Sequence, residues 1–178
     1  MTTLSLPTYT DNPIPAIIAT ISVLTMVSLS GAAIAAPLDA WIGTTTSPGG
    51  TSQGIYHLTI DLETGALSPP QLAATLSSPG FLALHPDGKH LYSVCSIDGT
   101  GAVASFRLVG DSGATEMQPL NSQSIGDGGA THLCVDRSGR VLMTAQYGAG
   151  SVAVFPLQDD GTIGPRAQLI KHEGGSGV

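Results

Sequence analysis

His132, Gln146, Tyr147 and Ser96 are the residues of this chain whose types could do chemistry together. An imidazole is a base that works near neutral pH. It can take a proton from water while nearby hydroxyl and amide donors hold the charge developing on a carbonyl oxygen. The plainer reading of the same residues is structural: His132 bonds to a neighbouring loop and Tyr147 packs on a wall. His85, Lys89, His90, Arg137 and Arg140 carry equally tempting groups. Which set can meet depends on the elements that carry them.

Those elements repeat. Gly65, Gly113 and Gly161 fall 48 residues apart, each after a polar turn sequence, and Gly88 and Gly139 fall 51 apart in "HPDGKHLYSV" and "DRSGRVLMTA". Asp and Ser cap such turns, and Gly takes the positive φ that closes them. A period near 50 built of short strands is the pattern of propeller blades. The apolar runs predict innermost strands at 81–84 and 132–135 and second strands at 41–44, 91–96 and 141–146. Third strands follow at 55–60, 103–108 and 152–157. Shorter, more polar outer strands are expected at 67–72, 115–120 and 163–169. The inner runs are nearly continuous in apolar residues, as strands buried on both faces are. No segment after Pro37 sustains a 3.6-residue period, so the fold class is all-β: about three four-stranded antiparallel blades, the first without its innermost strand.

Blade geometry sorts the chemistry. An innermost strand begins on the face where the second strand ends, because their hairpin lies at the other side. His132, Gln146, Tyr147, Ser96, Cys95, Gly80 and residues 44–46 therefore gather on one face, with His132 near a central channel. His85, Lys89, His90, Arg137 and Arg140 fall on the opposite face, where they read as solvated turn residues.

Composition narrows the function classes. The chain has 178 residues, 11% of them charged, and its net charge is −7 with six Lys and Arg in all. That excludes a nucleic-acid binder, which needs a basic face to displace counterions from phosphates. Cys95 and Cys134 form no C-x-x-C pair, so zinc-ribbon and thioredoxin readings fall away. Both lie in apolar runs and read as small buried hydrophobes; whether they pair is open. Residues 14–36 are apolar and uncharged and end in Ala33-Ile34-Ala35, the form of a signal-peptidase site. The preceding residues hold no Lys or Arg. Residues 1–36 are thus expected to be a signal peptide, or an uncleaved membrane anchor, leaving residues 37–178 as a partial propeller. The mature chain is expected outside the cytoplasm, periplasmic or secreted, and membrane-bound only if residues 14–36 stay in place. A closed propeller needs about four to eight blades. Two whole blades and three strands predict the front part of a longer protein, with self-assembly into oligomers as the alternative.

Several of these segments resemble the lactonase family of seven-bladed β-propellers, which includes 6-phosphogluconolactonases. The resemblance spans about residues 41–178. "WIGTTTSPGGTSQGIYHLTIDLETGAL" is similar to the family's opening blade. "GFLALHPDGKHLYSV" and "GGATHLCVDRSGRVLMTAQYGAGSVAVFPL" are similar to its next two, the latter being the more specific. "LIKHEGGSGV" resembles the loop after the third blade.

The resemblance implies hydrolysis of a small sugar-acid lactone, such as 6-phosphogluconolactone to 6-phosphogluconate, without metal or other cofactor. Under it His132 is the catalytic base, and Tyr147, Gln146 and Ser96 contact substrate. The departures matter. Members often carry Asn-Glu where this chain has Cys95-Ser96, and Asn where it has Gln146. A carboxylate is therefore missing from the expected face, and no cation is evident there for a substrate phosphate. A non-catalytic exported binding module on the same scaffold is the competing reading.

Overall fold

The structure, a computed structural model, describes residues 36–110 and 116–174. Eleven strands run in order: β1 Leu38–Ile42, β2 Gly54–Ile60, β3 Gln71–Thr75, β4 Leu82–Leu84, β5 His90–Ile97, β6 Thr100–Val109, β7 Glu116–Ser124, β8 His132–Val135, β9 Val141–Gln146, β10 Ser151–Pro156 and β11 Gln168–Lys171. They form one three-stranded sheet, β1-β2-β3, and two four-stranded sheets, β4-β5-β6-β7 and β8-β9-β10-β11. All pairings are antiparallel. The expected all-β architecture is therefore present, with the innermost strand absent from the first sheet among the described residues. No helix occurs among these residues, and so none that could cross a membrane. The apolar segment at residues 14–36 lies almost wholly outside them.

The turns explain the regularity. Gly88 and Gly139 close their hairpins at φ 68° and 72°, and Gly65 and Gly161 theirs at 72° and 86°. Asp98 and Gly99 both take positive φ between Ile97 and Thr100. This two-residue hairpin matches the twist of its strands, which favours Asp-Gly. Gly113 lies outside the described residues.

Each seam between sheets has its own core. Leu91, Cys95, Ala102, Ala104 and Phe106 pack with Ile55 of the first sheet. Tyr92, Val94 and Val103 pack with Leu133, Leu142, Ala153 and Phe155 of the third. Successive residues of β5 thus face opposite seams, which is why six consecutive residues of that strand are buried. Each full burial of a large apolar side chain contributes about 1.5–3 kcal/mol. Tyr92 adds a polar clasp: its buried hydroxyl donates to the Gly161 carbonyl at 3.1 Å, across the seam. Cys95, which is buried, and Cys134, which is half-buried, are both free thiols.

Two expectations need correction. The outer strands lie later than expected. After β2 and β10 the chain makes only an isolated bridge, Ile60 to Leu67 and Leu157 to Ile163, before the strand proper begins. Pro69, Pro70 and Pro165 lack the N–H that would continue those ladders. In the second blade Pro119 sits beside a register shift instead. The inner strands also differ: β4 has no fully buried residue and β8 has one, Leu133. Their backbones border the central side of the sheets, with a ladder partner on one edge alone.

Candidate functional site

β4 and β8 lie side by side, and His132 and Phe81 stand at the same end of them. Their rings are 4.3 Å apart between centroids and inclined by 50°. His132 is exposed. It opens β8 opposite Ala145 in the ladder, and the Thr131 N–H donates to the Ala145 carbonyl at 2.9 Å. The imidazole is thus one ladder step from Gln146 and two from Tyr147.

The loop 125–131 that delivers His132 is held against the second blade. The Ile125 N–H donates to the Gly101 carbonyl at 3.0 Å. At Gly101 a Cβ would stand 2.4 Å from the Gly128 carbonyl oxygen and 2.9 Å from Gly129 Cα. Only glycine lets these backbones approach so closely. Arg166 Nη1 donates to the Ile125 carbonyl from the outer side. At the preceding seam the Ser78 N–H donates to Thr46 Oγ1 at 2.9 Å, joining the loops of the first and second blades.

The four expected site residues share this end but do not share one surface. Tyr147 is 88% exposed at the β9–β10 turn. Ser96 is half-buried near the end of β5, its N–H donating to the Ser77 carbonyl at 2.9 Å. Gln146 is the exception: it is buried, its amide donates to Thr144 Oγ1, and its Oε1 accepts from Ser151 Oγ at 3.1 Å. The alternation of β9 turns Leu142, Thr144 and Gln146 into the seam, away from the channel. Gln146 is therefore turned away from a substrate in the channel in this arrangement. It holds the turn that carries Tyr147. Cys95 cannot replace the missing carboxylate, since burial pushes its thiol up to about 11.

Two charged residues at this end were not legible in the sequence. Asp127, in the loop before His132, is held below the ordinary carboxylate range by the Ser151 hydroxyl, with Lys171 and the Gly128 N–H adding to the effect. Its Oδ2 is buried without a hydrogen bond, and Lys171 Nζ lies 3.4 Å from it. Lys171 is largely exposed and stands opposite Ser151 in the ladder. A carboxylate and a cation are thus present where the sequence showed neither. Both come from segments distant in sequence, which no local motif marks.

The opposite end carries the tight turns and, as expected, His85 and His90. They are not solvated as expected. His90 is buried against Gly161, and His85 reaches the Gly139 carbonyl at 2.9 Å. Successive antiparallel sheets of three and four strands, packed face on face with β4 and β8 side by side, are the pattern of a β-propeller. The chain belongs to the lactonase family of seven-bladed β-propellers, whose pattern it matches over residues 39–178.

It is 38% identical over 134 residues to a 6-phosphogluconolactonase of Bacillus subtilis, covering 75% of this chain and 37% of that one. A 6-phosphogluconolactonase of Formosa agariphila is 29% identical over 112 residues, covering 62% of this chain and 31% of the relative. Among solved structures, the Pseudomonas aeruginosa periplasmic gluconolactonase superposes with a TM-score of 0.68 at 29% identity, over 77% of this chain and 39% of that one. The chain thus spans about a third of the length of the curated relatives it matches.

Proposed function

We propose that the protein is a hydrolase opening a small sugar-acid lactone, with 6-phosphogluconolactone as the substrate to be tried first. The observation that supports this most is the exposed His132, braced by Phe81 at the head of an inner strand, in a chain 38% identical to a 6-phosphogluconolactonase. His132 acts as the base that takes a proton from water as the water attacks the lactone carbonyl. The tetrahedral oxyanion then collapses with cleavage of the ring C–O bond, and the alkoxide leaving group takes up a proton. Tyr147 and Ser96 supply hydroxyl donors to the substrate, and Gln146 keeps the Tyr147 turn in place. No metal or other cofactor is assigned a part.

Export through residues 1–36, as a signal peptide or anchor, gives an extracytoplasmic site. The periplasmic location named for the Pseudomonas aeruginosa neighbour supports that placement. A second reading, a non-catalytic exported binding module, is favoured by Cys95-Ser96 standing where a carboxylate is common in the family. The test is a continuous acid-release assay on the protein at its natural length, with 6-phosphogluconolactone and gluconolactone each corrected for spontaneous opening. Saturable acceleration supports the enzyme; binding of the lactone without acceleration supports the module.

A further inference from the structure

We propose that His85, Asp87 and His90 form a binding site for a divalent transition metal of the zinc class, at the seam of the second and third blades and at the end opposite His132. The three side chains offer ligand atoms that all lie within 4.8 Å of one another. His85 Nδ1 is 3.0 Å from Asp87 Oδ1, and His90 Nδ1 is 2.8 Å from Asp87 Oδ2. Two imidazoles and one carboxylate suit zinc, cobalt, nickel or copper, and not the all-oxygen preference of calcium or magnesium.

The protonation pattern points the same way. His85 Nε2 faces the Gly139 carbonyl oxygen at 2.9 Å, so that nitrogen carries the proton. In the neutral ring Nδ1 is then a lone pair, accepting from the Asp87 N–H at 3.2 Å while also facing a carboxylate oxygen. Lone pair against lone pair is repulsive, and a cation lying between them relieves it. A carbonyl that fixes the tautomer of a histidine and leaves its other nitrogen unprotonated is the usual outer-shell partner of a metal ligand.

The second observation is independent of those contacts. His90 is 6% exposed, yet its Nε2 is buried with no hydrogen-bond partner among the described residues. A buried imidazole nitrogen without a partner costs free energy, which an ion bound there would offset. The three residues line a cavity of about 280 Å³ to which Asp159, Arg140 and Gln158 also contribute. That space leaves room for the water completing a four-coordinate ion. Since His85 and His90 belong to the second blade and Gly139 and Gly161 to the third, an ion here would clamp the seam.

The test is calorimetric titration of Zn²⁺ into the chelator-treated full-length protein, with Co²⁺ substitution read by visible absorption. One saturable equivalent is expected, with the intense absorption of low-coordinate Co²⁺. His90→Gln and His85→Gln should each weaken binding at least as much as loss of an outer-shell partner does, about 10–100-fold, while His172→Gln should leave it unchanged. Where those variants do not fold, Cu²⁺ electron paramagnetic resonance on the unmutated protein decides, by showing or lacking two equatorial nitrogen ligands. Absence of saturable binding, equal binding in the folded variants, or a hexa-aquo-like Co²⁺ spectrum would each overturn the proposal.

Discussion

Replacing Gly101 by alanine should displace the loop that leads into His132 without altering any side chain proposed for the site. The added Cβ would sit 2.4 Å from the Gly128 carbonyl oxygen, where an ordinary contact is about 3.4 Å, so the loop must withdraw by roughly 1 Å. The obstacle is backbone, so no rotamer change can relieve it. Overpacking of this kind costs about 1–3 kcal/mol, here concentrated on the loop that ends at His132. A 1 Å misplacement of a reacting group can cost about 100-fold in rate. Urea unfolding and lactonase kcat/KM should therefore fall together in Gly101→Ala. The control is Gly129→Ala, two residues of loop away from His132's neighbour Thr131, where a Cβ meets nothing within 4 Å. Wild-type stability and rate in Gly101→Ala would refute the claim that close backbone packing positions the loop.

Three further outcomes follow from the seams. Tyr92→Phe removes the buried hydroxyl bond to Gly161 and should cost about 0.5–1.5 kcal/mol in urea unfolding, or more because the carbonyl is left unpaired. Phe155→Ala empties a fully buried position of the second core and should cost about 3–5 kcal/mol by the same measurement. Asp87 gives a pH signature. Burial alone would raise its carboxyl, but the Lys89 N–H and the His90 and His85 rings hold it at about 2 against an ordinary 3.8. Its folded value is depressed, so its stabilisation is present above about pH 4 and is lost as pH falls through about 2. Unfolding midpoints followed across that window should drop less steeply in Asp87→Asn.

The blade repeat was legible because its signal is local. Gly88, Gly139, Gly65 and Gly161 all take positive φ at spaced turns, and the sequence writes that requirement directly. The outer strands were misplaced because edge strands carry little apolar pattern, and prolines beside the turns postpone their ladders. His132 was placed by strand topology alone, and the structure puts it exposed at the head of β8. Gln146 and His90 show the limit of that logic. Knowing the end of a strand does not tell which face the side chain takes, and here both side chains turn into the seam between blades. Asp127 and Lys171 lie on separate segments that meet only once the third blade closes on the second.

The most direct test of the account is kcat/KM for 6-phosphogluconolactone opening by the full-length protein and its His132→Gln variant. If His132 is the base, the variant should lose about 100- to 10,000-fold while keeping its circular dichroism and its unfolding midpoint. A folded variant that opens the lactone at the unmutated rate would contradict the assignment of the site to this end of the propeller.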